Sequence, residues 1–374
     1  MILMESVELR EIRLPLIESF ETSAGRTTER RIILVTVRCA GGEGYGECTA
    51  GEDPYYSSET TDTAWHLLAD FIIPPLLGKQ IESAREVSAR LRPIRGHEMA
   101  KAAIETALWD FEARFRQIPL SRHLGGIRDE IQCGVSIGIQ AGVEELLRKV
   151  RGEIAAGYRR IKVKIKPGWD LEPLRAVRAE FPEVPLMADA NAAYELDDLA
   201  LFHRLDEFGL MMIEQPLAHD DLVDHARLQK EIRTPICLDE PIHSFEDARR
   251  AIELGSCRVL NVKLGRVGGY GEALRINEYC ARQAVPVWCG GMLESGIGRA
   301  HNIALSTLSG FVLPGDVSAS RRYYQEDTVR PPVSVSPGGT IRVPTSPGIG
   351  YDLDWARIDR ATVRRQEFRQ GIGD

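Results

Sequence analysis

Cysteine is scarce and unpatterned in this chain. The 374 residues hold seven cysteines, an odd number with no CxxC pair, so neither a disulfide framework nor a thiol-based zinc or redox motif is expected. The seven read as reduced, mostly buried small hydrophobes. Long apolar runs are missing as well. The stretch 71–77 is short and broken by Pro74 and Pro75, too little to span a bilayer. No basic tract offsets the net charge of −8, which argues against a nucleic-acid partner. The opening MILMES lacks the basic and long apolar segments of a secretory leader, and a cytoplasmic protein is the expectation. None of the eight histidines forms a metal-like pair. His219 and His225 lie six apart and read as solvated.

What the chain has instead is alternation. Residues 31–37 are apolar and β-branched, Gly41 and Gly42 mark a turn, and Ala103, Leu108, Phe111 and Phe115 fall at the spacing of a helix over 99–115. Two segments, 19–26 and 48–59, look like exposed loops. Residues 1–130 therefore read as an α+β domain. From 131 to about 320, short apolar strands alternate with amphipathic helices. The strand candidates are 133–137, 160–165, 186–188, 210–213, 236–238, 259–262, 285–288 and, weakly, 311–313. Ser244 to Asp247 resembles a helix-capping sequence, and Gly209 and Gly255 stand where helices should stop. Eight such units predict a (β/α)₈-type barrel. The remainder, 321–374, is rich in Pro, Gly and Ser. It carries a hairpin-like turn at 336–340 and is expected to pack beside the barrel or return to the N-terminal domain.

Five consecutive strands end in a charged residue: Lys164, Asp189, Glu214, Asp239 and Lys263, spaced 25, 25, 25 and 24 residues apart. A buried parallel strand should be continuously apolar, so one charge at its end is unremarkable but five at the period of a βα unit are not. The spacing places them at equivalent heights on the carboxyl-terminal mouth, where barrel active sites lie. The lysines fall on the second and sixth strands, opposite one another in an eight-strand ring, with the carboxylates along the wall between. Three converging carboxylates need a counter-cation. An all-oxygen set favours Mg²⁺, with Mn²⁺ next.

Removing the proton next to a carboxylate places a second negative charge on that group, which a bound cation stabilises. Two lysines on opposite faces of the carbon allow removal by one and return by the other, the layout of a racemase or epimerase. With a β-leaving group the same site performs elimination. The expected partner is a small carboxylate substrate.

At these residues the chain resembles the enolase superfamily and, within it, the muconate lactonizing enzyme subgroup. The matching pieces are KVK at 162–164, DAN at 189–191, EQP at 214–216, Asp239-Glu240 and Lys263. Lysine at 263 disfavours the mandelate racemase subgroup, which has histidine as its second base. Finer features are similar to the branch of o-succinylbenzoate synthase and N-succinylamino acid (N-acylamino acid) racemase. These are RIKVKIKPGWD at 160–170, KLGRVGG at 263–269, WCGGMLESG at 288–296 and YSSE at 56–59. The acidic D-x-D that a dipeptide epimerase would place at 290–294 is absent.

The resemblance implies a modified (β/α)₇β barrel with an α+β capping domain completed by the C-terminal tail, and a homo-oligomer. It implies that Lys164 and Lys263 are the acid/base pair, that Asp189, Glu214 and Asp239 hold Mg²⁺, and that Lys162 supports Lys164 and the substrate carboxylate. Arg266 either sets the charge and position of Lys263 or is a surface arginine. Asn191 and Glu240 either stand behind the ligands or are ordinary polar residues. Ser136 either meets substrate or is a core serine. Phe20 and Tyr55 in the two loops, with Gly291 and Met292 beyond the seventh strand, are further candidate substrate contacts. The alternatives are a muconate-type cycloisomerase, a dipeptide epimerase, a Schiff-base aldolase and a non-catalytic barrel that binds acyl amino acids.

Overall fold

The β-branched run at 31–37 is the middle of a long strand, Arg26–Cys39. It pairs antiparallel with Ile2–Glu21 on one side and with Gly42–Cys48 on the other. The computed structural model describes residues 1–23 and 25–370. The first hairpin is longer than its sequence suggests: Phe20 pairs with Thr27 and Glu21 with Arg26. Of the expected loop 19–26 only the turn remains, with Ala24 outside the described residues. Glu98–Phe115, the helix anticipated at 99–115, packs across this sheet. Contact is so close that a Cβ at Gly44 or Gly46 would lie 2.1 or 2.0 Å from a helix carbonyl oxygen, so only glycine fits there. From the far end of the chain, Thr362–Arg369 adds itself antiparallel to the first strand, so the tail completes the N-terminal domain. Residues 371–374 lie outside the described residues.

Seven parallel strands follow in chain order: Gly134–Ile137, Arg160–Lys164, Leu186–Asp189, Ile213–Glu214, Ile236–Leu238, Val259–Val262 and Val287–Cys289. Between successive strands the chain makes helices, as the capping signals require. Ser244 accepts from the Asp247 amide at the start of Phe245–Leu254, and Gly255 ends that helix at φ +75°. The anticipated eighth strand at 311–313 does not form. Single bridges join Phe311 to Val287 and Gly315 to Cys133, so an irregular segment closes the ring between the seventh and first strands. Pro314 has no N–H to give to a ladder, which accounts for the irregularity. The turn at 336–340 forms and is closed by the Ser336 amide donating to the Thr340 carbonyl, but the strand that follows, Thr340–Arg342, pairs with Glu130–Gln132.

Two expectations about polar residues resolve differently. All seven cysteines are free and buried. His225, in contrast, is not solvated. It is fully buried on Val223–Glu231, where Nε2 accepts from the Leu217 amide and Nδ1 lies 2.9 Å from Asp221. No helix among the described residues is long and apolar enough to cross a membrane.

The two domains are joined by buried carboxylates that cap barrel helices. Glu105, on the long N-terminal helix, accepts from the amides of Tyr270 and Gly271 at the start of Tyr270–Arg282. Glu47 accepts from the amides of Ser295 and Gly298 and from the Ser295 hydroxyl at the start of Gly296–Ser306. Burial pushes both carboxyls up to about 7. A carboxyl raised on folding contributes stability that is present below its ordinary value near 4.5 and lost as pH rises through 7. Wild type should therefore lose up to about 3 kcal/mol of stability relative to Glu47→Gln between those pH values. Denaturant titrations across that range check it; parallel curves for the two proteins would refute it.

Candidate active site

Strand pairing fixes the first three charged residues in one row. Lys164 stands opposite Asp189, and Asp189 opposite Glu214. The partner of Glu214 on the next strand is Cys237, so Asp239 lies higher and Lys263, just past Val259–Val262, higher again. The expectation of equal heights thus holds for three residues and yields to strand stagger for the other two.

Around this row the charges interlock. Lys164 Nζ donates to Asp189 at 2.6 Å and to Asn191 Oδ1 at 2.5 Å. Lys162 Nζ lies 2.8 Å from Glu214, 3.1 Å from Asp189 and 2.7 Å from Asp316. Lys263 Nζ donates to Asp239 at 2.7 Å and to the Tyr56 hydroxyl at 2.9 Å. Arg266 is buried behind it. It bonds Asp239, Tyr56 and the carbonyls of Ile242 and Asn261, so it is no surface arginine. Asn191 donates to Glu240 at 3.0 Å, which makes both part of the site's framework.

The electrostatics follow from these contacts. Burial works to raise Asp189, but Lys164 and Lys162 outweigh it and hold the carboxyl low. Burial and the neighbouring Asp189 charge raise Glu214. Burial would lower Lys263, yet Tyr56, Glu214 and Glu240 hold its ammonium up. Lys263 is therefore a cation in this arrangement, not the neutral amine a base must become.

Among the described residues no three carboxylate, imidazole or thiol groups converge into a finished cage. Lysine ammoniums sit against Asp189 and Glu214, and Asp239 is turned onto Lys263 and Arg266. The donor set nevertheless suits a hard cation. It is all oxygen, it lies on three successive strands, and two adjoining buried acceptors, Glu240 Oε2 and Asn261 Oδ1, have no hydrogen-bond partner.

A cleft opens onto Lys162, Lys164 and Lys263. Phe20, Ser136 and Gly291 line it as expected. Tyr55 does not: its side chain is 72% exposed, and the adjacent Tyr56 turns inward in its place. Met292 also misses the wall. It packs against the hydrophobic core while Gly291, Leu293 and Glu294 line the cleft.

Sequence reasoning gave no role to four groups besides Tyr56: Asp316, Asn261, Arg299 and Ser318. Asp316 pairs with Lys162 and, at 2.7 Å, with Arg160. Asn261 donates to Glu214 at 2.7 Å. Arg299 has Nη1 buried without a partner at the cleft wall, as have the hydroxyls of Ser136 and Ser318. A polar residue inside a strand, as at Asn261, was the one readable signal among them.

Comparison with known proteins agrees with this fold. Residues 5–125 match the family model described as the mandelate racemase / muconate lactonizing enzyme N-terminal domain, and residues 145–357 the one described as enolase C-terminal domain-like. An o-succinylbenzoate synthase from Geobacillus kaustophilus is 54% identical, with 98% of each chain covered. An N-succinylamino acid racemase from Thermus thermophilus is 49% identical over 96% of this chain and 97% of its own. The crystal structure of an enolase superfamily member from Listeria innocua superposes with a TM-score of 0.95 at 43% identity, covering 99% of this chain and 100% of that one.

Proposed function

The chain belongs to the mandelate racemase / muconate lactonizing enzyme family of the enolase superfamily, and from that premise we propose that it racemises N-succinylamino acids and dehydrates the precursor of o-succinylbenzoate at one site. The observation that carries this is a single cleft bordered by two lysines that stand on opposite sides of a carboxylate wall.

Enzymes of this superfamily use a divalent metal, and Mg²⁺ is our assignment here, held by Asp189, Glu214 and Asp239. Its chemistry is to neutralise the second charge that develops on the substrate carboxylate when the α-proton leaves. The chain's own residues do the rest. Lys164 Nζ takes the α-proton from one face, and Lys263 Nζ delivers a proton to the other, which inverts the centre. In the reverse direction their roles exchange. In elimination Lys164 Nζ takes the α-proton and then gives it to the departing β-hydroxyl, which leaves as water while the enediolate electrons form the new double bond, and Lys263 stays charged beside the electron-rich intermediate. Lys162, pinned by Asp316 and Glu214, keeps positive charge next to the row. The unpaired donors Ser136 Oγ, Ser318 Oγ and Arg299 Nη1 are suited to the acyl carbonyl and distal carboxylate of a succinyl group.

The test is to assay purified protein with Mg²⁺ on both substrates, by chiral chromatography and by absorbance of the aromatic product. Turnover of both is expected. Turnover of muconate alone, or borohydride trapping of a carbonyl substrate on a barrel lysine, would overturn the reading. Side-chain preference should follow the residues that reach the cleft. Phe20→Ala should change the ranking of amino-acid side chains by roughly 10-fold in KM, the scale of one lost apolar contact, with metal affinity unchanged. Tyr55→Ala should leave the ranking unaltered. Equal losses on every substrate in Phe20→Ala would argue against its role.

A further inference from the structure

The cap reaches one of the two lysines and not the other in the same way. Lys164 donates its hydrogen bonds to Asp189 and Asn191, both barrel residues. Lys263 is held by Asp239 and by Tyr56, a residue of the N-terminal domain. Resting on the reading above, we propose that Tyr56 is a positioning residue that fixes the Lys263 ammonium over its face of the substrate, so that proton transfer on that face requires a docked cap loop.

Two observations support this. First, the phenol is fully engaged. Its oxygen accepts from Lys263 Nζ at 2.9 Å and from Arg266 Nη1 at 3.2 Å, and its proton goes to Asp239 Oδ1 at 3.2 Å. A tyrosine hydroxyl has one proton and two lone pairs, so its orientation is determined. The Tyr56 ring also faces the ammonium, 4.4 Å from centroid to Nζ, a cation–π contact on the same atom. Second, the loop that carries Tyr56 is anchored. Gly51 bridges to Thr60, and the Thr61 amide donates to the Gly51 carbonyl at 2.7 Å. Ser57 Oγ accepts from the Glu59 amide at 3.1 Å. The Glu59 carboxylate accepts from the amides of Met99 and Ala100 at 2.9 and 2.7 Å, at the start of the long N-terminal helix. Tyr56 is thus presented by a braced loop, three residues from a buried tether.

The consequence is an asymmetry between faces. Loss of the hydroxyl or the ring should disturb the enantiomer whose proton Lys263 handles and spare the one that Lys164 handles. Racemisation should suffer more than elimination, which needs only the Lys263 charge.

The experiment follows α-proton exchange in D₂O for each enantiomer of an N-succinylamino acid, using Tyr56→Phe and Tyr56→Ala. Exchange of the enantiomer that is inert in Lys263→Ala should fall roughly 10-fold in Tyr56→Phe and roughly 100-fold in Tyr56→Ala, the range for hydrogen bonds to a charged group. Exchange of the other should stay within about 2-fold, well below one such bond. A uniform loss on both enantiomers, or none on either, overturns the proposal. If wild type exchanges neither enantiomer, the racemase reading falls, and acylation of the lysines by acetic anhydride, mapped by mass spectrometry, decides the role of Tyr56. The labelling ratio of Lys263 to Lys164 should rise at least about 5-fold in Tyr56→Ala, the effect of a lost hydrogen bond of ordinary strength. An unchanged ratio overturns the proposal there.

Discussion

Lys263→Ala should stop racemisation altogether while leaving one enantiomer able to exchange its α-proton with retention of configuration. Lys164 keeps its bonds to Asp189 and Asn191 in that variant, so it can still remove and return a proton on its own face. The opposite enantiomer presents its proton to the vacated side and should be inert. Lys164→Ala should show the reverse preference at a lower rate, because Asp189 loses one of the two cations that hold it low. A positioned base contributes roughly 10²- to 10⁴-fold, so the lost direction should fall by about that factor. Both variants should also lose most synthase activity, for different reasons. Lys164→Ala removes the base, and Lys263→Ala removes the charge beside the intermediate. Deuterium incorporation by NMR alongside chiral chromatography separates exchange from inversion. If either variant racemised both enantiomers near the wild-type rate, the two-base layout would be wrong.

That experiment could be designed from sequence because strand-end charges are readable wherever the strand itself is a buried apolar run. At 236–238 and 259–262 the expected and observed strands coincide, and the charge follows directly. At 210–213 the apolar run Leu210 to Ile213 gave no internal boundary, and the strand is only Ile213–Glu214. Periodicity also fails where the backbone is irregular. The 25-residue rhythm puts Trp288 after Lys263, and that ring faces both Lys162 and Arg160. Asp316 arrives from outside the rhythm, on the segment that Pro314 keeps from becoming a strand. Adjacent tyrosines in a loop posed a different difficulty. Neither composition nor spacing tells which of Tyr55 and Tyr56 turns inward, because that depends on the anchoring of the loop by Glu59 to a helix forty residues on. The cap-to-barrel carboxylates Glu47 and Glu105 were equally invisible, since their partners are backbone amides.

Prolonged chelation should abolish both activities, and Mg²⁺ or Mn²⁺ should restore them. Asp189, Glu214 and Asp239 are each buried to within about 1% of their surface, and buried carboxylates in such number persist only against compensating cations. Lysine and arginine side chains supply that compensation in the structure: Lys162 and Lys164 on Asp189, Lys162 on Glu214, Lys263 and Arg266 on Asp239. A divalent ion at these oxygens therefore competes with the chain's own ammonium groups, and binding should register in the protein's stability as well as in turnover. At a hundredfold excess over Kd, Mg²⁺ should add about 2.7 kcal/mol, read as a rise in Tm by calorimetry. Glu214→Gln and Asp239→Asn should lose that rise together with activity, because an amide carries no charge to set against the ion. Phe20→Ala should keep it, since Phe20 reaches the cleft but supplies no oxygen ligand. Full activity in rigorously metal-free protein would sink the assignment. A Tm response retained in both carboxylate variants would move the ion elsewhere in the barrel. The same titration separates this enzyme from a Schiff-base barrel, whose lysine chemistry neither needs nor responds to the ion.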